Sequence, residues 1–135
     1  MKHQLLKPKS LKPGDTIGVI SNSAPLAGLV PHRFQRGLKA LEEMGYKVKI
    51  TPHTLKVSGY VSATGKERAA DFNALFADRS VRAILSCIGG NHSNQMLPYI
   101  DYDQVKSNPK IICGYSDTTV LLDAIYTMTG LVGCY

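Results

Sequence analysis

The residue of this chain best suited to chemistry is a serine on a turn between a strand pattern and a helix pattern. Ile111-Ile112-Cys113 is a short apolar run typical of a strand buried on both faces, and a helical pattern runs from Thr119 to Met128. Gly114 and Ser116 lie on the turn between them. A strand, a sharp turn bearing a serine and a helix together form a nucleophile elbow, which exposes the serine hydroxyl beside helix N–H groups. The pattern predicts that Ser116 is a nucleophile.

The same turn allows two other interpretations. The elbow consensus has a small residue two positions after the serine, and this chain has Thr118 there. Serine and aspartate are also common helix N-caps, so Ser116 or Asp117 could do no more than cap the following helix. A cysteine nucleophile at Cys113 is a weaker option, because an apolar strand raises the pKa of a thiol and makes it inert.

Two more loops follow buried strands. Thr16–Ser21 is a predicted strand that leads into the polar loop 21–25, and the strand 81–88 leads into the loop 89–94. The carboxyl ends of parallel strands lie at one edge of a sheet, where ligands bind in open α/β folds. The pair Gly89-Gly90 would let the backbone approach a ligand closely. We expect these loops to meet the serine turn, although each alone is also compatible with an ordinary connector.

The remaining patterns predict the elements that position these loops. Apolar residues recur at helical spacing from Phe34 to Met44, Gly45 ends that helix, and the alternating stretch 46–51 predicts a strand near an edge. The chain also shows a capping box at Thr64-Gly65-Lys66-Glu67, a loop at 52–63, a short helix or turn at 97–109 capped by Asp101 and Asp103, and a strand starting at Leu131-Val132. The β-α-β order predicts a parallel sheet.

Composition narrows the class of protein. The 135 residues predict one domain, no apolar run is long enough to span a membrane, and the N-terminus lacks the apolar segment of a signal peptide. The three cysteines predict reduced thiols and a cytoplasmic location, and no ligand spacing indicates a metal site or another cofactor. The net charge of +6 favours an anionic substrate, whereas no basic stripe with interleaved aromatics indicates nucleic-acid binding.

Several ordered motifs resemble the LD-carboxypeptidase family of serine peptidases. They cover most of the chain: Leu11-Lys12-Pro13-Gly14-Asp15-Thr16-Ile17, Gly59-Tyr60-Val61-Ser62, Glu67-Arg68-Ala69-Ala70-Asp71, Gly89-Gly90 and Gly114-Tyr115-Ser116-Asp117-Thr118-Thr119. The segment from Asn91 to Tyr102, with Asn108-Pro109-Lys110 later, is similar to the microcin C self-immunity branch of that family.

The resemblance implies a fold and a set of roles. The fold would be a three-layer α/β domain with a mostly parallel sheet, flavodoxin-like or class I glutamine amidotransferase-like. Ser116 would be the nucleophile, and the backbone N–H groups of Asp117 and Gly90 would form the oxyanion hole. The substrate would be a small peptide or a peptide–nucleotide conjugate cleaved near a C-terminal carboxylate. By their position in the loops that follow the strands, Gly89, Asn91 and Ser23 are expected to contact it. No membrane partner is expected.

The chain also departs from the family pattern. Members are about twice as long and take a Glu and a His from a C-terminal domain to complete a Ser–His–Glu triad, and neither has a matching position here. None of the histidines (His3, His32, His53 and His92) is assigned that role. We therefore interpret residues 1–135 as a nucleophile-bearing N-terminal domain. We expect this domain to be inactive alone, and a homodimer is one candidate for its assembly. The alternative is a non-catalytic, flavodoxin-like binding module.

Overall fold

A parallel sheet of four strands forms the centre of the molecule. The structure is a computed structural model that describes residues 4–135. The strands are β1 (Thr16–Ile20), β2 (Lys47–Ile50), β3 (Val81–Ser86) and β4 (Ile111–Cys113). They are arranged in the order β2-β1-β3-β4 with every pair parallel, which is the order that begins a flavodoxin-like sheet. Strand β2 is an edge strand, as its alternating sequence predicts.

Helices cover both faces of this sheet. In chain order they are α1 (Leu26–Leu29), α2 (Pro31–Glu43), α3 (Gly65–Ala77), α4 (Tyr102–Ser107) and α5 (Thr119–Thr129), with 3₁₀ turns at Ser93–Tyr99 and Ser116–Thr118. Phe72 of α3 and Ile125 of α5 pack with Ile84 on one face. Phe34 and Leu38 of α2 pack near Val19 on the other. The predicted three-layer α/β fold is confirmed.

Most of the local predictions hold. Gly45 follows α2 with φ of +92°, and Thr64 and Glu67 form both hydrogen bonds of a capping box at the start of α3. Asp101 caps α4 by accepting a hydrogen bond from the N–H of Gln104 at 2.9 Å. The assignment of Asp103 as a second cap is wrong: it lies inside the first turn of α4, where a carboxylate interacts with the helix dipole instead.

The last residues pair with the sheet only at single points. The sequence predicts a strand beginning at Leu131, but Leu131 forms an isolated bridge with Leu6, and Cys134 forms a parallel bridge with Cys113. Gly130 to Gly133 break up the extended segment, so the pairing at β4 is limited to two hydrogen bonds around Cys134. None of the helices within residues 4–135 is long and apolar enough to cross a membrane. His3 lies outside the described residues.

Candidate active site

The turn after β4 holds Ser116 in an unusual backbone conformation. Ser116 has φ of +59°, and within residues 4–135 it is the one residue other than glycine with positive φ. The left-handed region costs an L-residue about 1–2 kcal/mol, so the surrounding structure must impose it. The side chain of Ser116 is exposed at the carboxyl edge of the sheet. A strained strand-to-helix turn that presents a serine is the geometry of a nucleophile elbow.

Neither Ser116 nor Asp117 caps the helix that follows. In the described part of the chain, no side chain accepts a capping hydrogen bond at the start of the 3₁₀ turn or of α5. The Asp117 carboxylate instead accepts hydrogen bonds from the loop that follows β3. The capping interpretation is therefore wrong for both residues, because the carboxylate is turned across the edge of the sheet.

Gly114 explains how a threonine fits two positions after the serine. A Cβ at Gly114 would lie 2.7 Å from Thr118 Cγ2 and 2.9 Å from Ser86 Cβ. The side chain of Thr118 is buried in this space, and its hydroxyl donates to Ser86 Oγ at 3.0 Å. The glycine before the serine thus provides the room that a glycine after it would otherwise provide.

The pair Gly89-Gly90 lies directly against the serine turn. A Cβ at Gly89 would be 3.1 Å from the backbone nitrogen of Asp117 and 3.2 Å from Ser116 Oγ. Gly90 has φ of +150°, and a Cβ there would be 2.3 Å from Ser23 Oγ. Close approach requires a residue without a side chain at both positions. The structure confirms that the loops after β1, β3 and β4 meet.

Two backbone donors beside Ser116 have no partner within residues 4–135. The Gly89 carbonyl accepts a hydrogen bond from the N–H of Ala24 at 3.1 Å. Because C=O and N–H point in opposite directions in a trans peptide, the N–H of Gly90 points away from Ala24. Neither this N–H nor that of Asp117 donates a hydrogen bond to any group in the described part of the chain. Such a pair can stabilise negative charge on a ligand oxygen.

The Asp117 carboxylate anchors the opposite loop. Its Oδ2 accepts hydrogen bonds from the N–H of His92 and of Ser93, both at 2.9 Å, and from the Ser93 hydroxyl at 2.8 Å. Burial by itself raises the pKa of this carboxyl, but hydrogen bonds involving Ser23, Ser93 and His92 together outweigh burial and lower the pKa below its ordinary value. The group is therefore an anion at neutral pH, which strengthens each bond.

A buried asparagine connects all three loops beneath the surface. Asn22 is completely buried, and its Nδ2 donates to Ser93 Oγ at 2.7 Å and to Thr118 Oγ1 at 3.2 Å. Its Oδ1 accepts a hydrogen bond from the Ser86 hydroxyl. Within residues 4–135 no buried side-chain polar atom lacks a partner. The network holds the strand ends in one fixed arrangement.

The other residues singled out in the sequence occupy different places. Ser23 is fully buried, and its Oγ accepts a hydrogen bond from the N–H of His92 at 3.0 Å, so it supports the loop from below. Asn91 is exposed next to Gly90. The ring of His92 packs on Tyr60 with ring centres 4.6 Å apart. Ser116 Oγ makes no hydrogen bond with any residue from 4 to 135, so this part of the chain supplies no base to it.

Sequence reasoning missed the supporting residues Asn22, Ser86 and Ser93. Each is a polar residue in or beside a loop that follows a strand, a position that could have marked it. His53 is also committed elsewhere, because its Nδ1 lies 2.8 Å from Asp71 Oδ1. The three cysteines are free thiols. Burial raises the pKa of Cys113, and the pKa of Cys87 to about 11.

Comparisons with known proteins agree on one family. The family model described as the LD-carboxypeptidase N-terminal domain (Peptidase S66) matches residues 17–135. The microcin C7 self-immunity protein MccF of Escherichia coli is 48% identical over 122 residues, and a putative carboxypeptidase of Vibrio cholerae is 45% identical over 131 residues. A solved structure of MccF in its wild-type apo state superposes with a TM-score of 0.91 at 47% identity.

These matches involve only part of each relative. They take in 90% and 97% of this chain but only 36% of MccF and 39% of the Vibrio cholerae protein. The structural superposition likewise uses 96% of this chain and 38% of the MccF chain. The chain thus spans somewhat more than a third of the length of these relatives.

Proposed function

Because this chain belongs to the LD-carboxypeptidase family of serine peptidases, we propose that Ser116 is the nucleophile of a carboxypeptidase-type amide hydrolase. The observation that carries the proposal is the placement of an exposed serine with φ of +59° beside two backbone N–H groups that have no partner among residues 4–135. A helix-capping or purely structural serine needs neither the strained backbone nor the open donors. Gly90 and Asp117 provide those donors.

The reaction assigns one step to each group. Ser116 Oγ attacks the carbonyl carbon of the scissile amide, and the carbonyl oxygen becomes an oxyanion that accepts hydrogen bonds from the N–H groups of Gly90 and Asp117. The base that takes the proton of the Ser116 hydroxyl gives it to the amine as the C–N bond breaks; water, deprotonated by the same base, then hydrolyses the acyl–Ser116 ester to a carboxylate and restores the hydroxyl. Loss of one such donor typically raises the barrier by about 2.7–4 kcal/mol.

A base from outside this part of the chain completes the proposal. Family resemblance assigns it to a His oriented by a Glu in a further domain, since the described histidines do not contact Ser116. Residues 1–135 are then the nucleophile-bearing N-terminal domain. Without the base, catalysis is limited to what the oxyanion donors and binding contribute, so we expect this chain alone not to turn over peptide.

The proposed substrate is a small anionic peptide or peptide–nucleotide conjugate. Solved structures of MccF hold aspartyl sulfamoyl adenosine and glutamyl sulfamoyl guanosine, and a relative from Bacillus subtilis is described as a probable murein peptide carboxypeptidase. A microcin C-type conjugate and an LD-muropeptide are therefore the two candidate classes. The net charge of +6 favours an anion. Gly89 and Asn91 border the substrate, while Ser23 acts from beneath the loop.

Active-site labelling tests this function directly. The chain is mixed with a separately expressed C-terminal part of MccF that carries the Glu and His, and a fluorophosphonate probe is added; the Ser116→Ala variant is the control. We expect Ser116-dependent labelling and amide hydrolysis only in the mixture. If Ser116 stays unlabelled in a mixture that demonstrably forms a complex, the chain is a non-catalytic binding module.

Location and self-association extend the proposal. Free thiols at all three cysteines suit the reducing cytoplasm. A groove of about 380 Å³ lies between α2 and the end of β3, and its lining is largely apolar (Leu26, Phe34, Leu38, Leu85, Ile88 and Tyr115). A second copy of the chain could cover this groove in a homodimer. The homodimer would be excluded if the chain sedimented as a monomer at every protein concentration and bound no apolar dye.

A further inference from the structure

A completely buried arginine lies beneath the candidate site. Arg68 belongs to α3, has no exposed surface, and shares the inward side of the helix with Phe72 and Leu75. Burying a guanidinium is costly unless its donors are satisfied. All of its hydrogen bonds go to other segments of the chain, so the cost of burying it is explained by what it holds in place.

The guanidinium is satisfied almost entirely by loop backbone. Its Nε donates to the Ala63 carbonyl at 2.8 Å, and Nη1 donates to the carbonyls of Asn22 at 2.5 Å and His92 at 3.0 Å. Nη2 donates to Gln95 Oε1 at 2.7 Å. Within the described residues no carboxylate forms a salt bridge with Arg68. The arginine thus joins the loop after β1, the segment before α3 and the loop after β3.

One peptide group lies between this cation and the Asp117 anion. The carbonyl of His92 accepts from Arg68 Nη1, and the N–H of the same peptide, which belongs to Ser93, donates to Asp117 Oδ2 at 2.9 Å. Burial lowers the pKa of Arg68, and the charge of Asp117 opposes that change. Opposite charges at the two ends of one peptide dipole fix both its position and its orientation.

We propose that Arg68 is a positioning residue that holds the Gly89-Gly90 turn against Ser116 by clamping the His92–Ser93 peptide opposite Asp117. The same guanidinium bonds to the Asn22 carbonyl, two residues before Ala24, whose N–H fixes the Gly89 carbonyl. Both ends of the glycine turn are therefore tied to one rigid group. The inference rests on the proposed function only in treating the Gly90 N–H as an oxyanion donor.

Only arginine has the geometry for this task. The guanidinium donates four hydrogen bonds from three nitrogen atoms (Nε, Nη1 and Nη2) that point in different directions in one plane. A lysine has three N–H donors on a single nitrogen atom at the end of a flexible side chain. Arg68→Lys keeps the charge and most of the volume but cannot reach Ala63, Asn22, His92 and Gln95 together. The substitution therefore separates the positioning role from charge.

Amide hydrogen exchange in the 135-residue chain tests the clamp without requiring activity. For Arg68→Lys we expect the amides of Ala24, His92 and Ser93 to exchange at least about tenfold faster, while the slowest amides of β1 and β3 keep their rates. The matched control is Arg79→Lys, an exposed arginine just after α3, which should change none of them. Unchanged loop amides, or an equal acceleration of loop and strand amides, would overturn the inference.

Two further measurements extend this test, and the first of them uses the unmodified chain, so it stands even if Arg68→Lys folds poorly. In the unmodified chain, a clamped guanidinium gives separate, slowly exchanging Nη–H proton resonances, and a single averaged resonance would overturn the clamp. In the chain complemented with a triad-bearing domain, Arg68→Lys should lower kcat by about tenfold or more with little change in KM. If the complemented chain is inactive although the exchange and Nη–H measurements show the clamp, the proposed function is refuted and the clamp is not.

Discussion

Asp117 takes two hydrogen bonds from Ser93, one from its N–H at 2.9 Å and one from its hydroxyl at 2.8 Å. The residue after the elbow serine therefore has two separate tasks. Its backbone N–H stays open beside Ser116, while its carboxylate fixes the loop that carries Gly89 and Gly90. One residue thus sets the distance between the two proposed oxyanion donors.

Removal of the Asp117 charge should weaken folding in a pH-dependent way. We expect Asp117→Asn to lower the free energy of unfolding by about 1–3 kcal/mol at pH 7, because bonds to a charged acceptor are replaced by bonds to a neutral one. The folded pKa lies below the ordinary 3.8, so the unfolded chain binds more protons near that pH and stability falls as the pH falls. Urea unfolding measures this.

The control for that experiment is Asp123→Asn, an exposed aspartate on α5, which should leave the unfolding free energy nearly unchanged. The gap between Asp117→Asn and the unmodified chain should shrink as the pH falls through the folded pKa. A gap of constant size between about pH 2 and pH 6 would show that the Asp117 charge does not hold the loop.

A methyl group at Gly89 should impair the site more than the fold. In Gly89→Ala the new Cβ lies within 3.2 Å of Ser116 Oγ and of the Asp117 nitrogen, so either the loop or the elbow must shift. We expect Ser116 labelling in the complemented enzyme to slow by about 10²–10³-fold, as for loss of one oxyanion donor. Gly37→Ala, on α2 with open space around it, is the matched control and should label normally.

The strained conformation of Ser116 predicts an order of stabilities. Ser116→Gly should be more stable than Ser116→Ala by up to about 1 kcal/mol, because glycine tolerates φ of +59° and alanine does not. At Gln35, an exposed position inside helix α2, the order should reverse, since glycine is the poorer helix former. Thermal unfolding of the four variants measures both differences. Equal stability of the two Ser116 variants would mean that the turn stores no strain.

Lys110 should make stability rise at alkaline pH. Its Nζ donates to the carbonyls of Asp78 at 2.6 Å and Val81 at 2.5 Å, and burial lowers its pKa to about 8 from 10.5. The unfolded chain therefore binds more protons between these pH values, so this group adds stability as the pH rises through them. Urea unfolding measures the free energy of unfolding of the unmodified chain and of Lys110→Met. The value for the unmodified chain should rise relative to that of the variant across this pH range. A difference in unfolding free energy that does not change with pH would contradict the lowered pKa of Lys110.

Local sequence patterns were sufficient for the elements and for the turn that bears the serine. The capping box at Thr64, the glycine after α2 and the strand-turn-helix at Ser116 each depend on neighbouring residues, so they are legible in the chain itself. The strand order was beyond reach, because it depends on which apolar strands pair across the sheet. It places β1 and β3 side by side and brings Ser23 under Gly90.

The supports of the site could not be predicted for a related reason. Asn22 and Arg68 are ordinary polar residues in the sequence, and their importance comes from burial against segments far along the chain. Arg68 did carry one signal, since it lies four residues before Phe72 on an apolar helix face. Ser23 was identified as a substrate contact because it follows a strand, yet its side chain is turned inward to His92.

The Asn22 network also affects the order in which the chain can fold. Its hydrogen bonds to Ser93 and Thr118 join residues 71 and 96 positions apart. Such bonds close long loops, and the entropic cost of closing a loop grows with its length. During synthesis from the N-terminus, the hydrogen bond between Asn22 and Thr118 can form only after Thr118 has left the ribosome. We therefore expect the elbow and its supporting loops to assemble late, after helix α3 has formed. A chain interrupted before β4 would keep the bonds of Asn22 to Ser86 and Ser93 but would lack the bond to Thr118 that ties this network to the elbow.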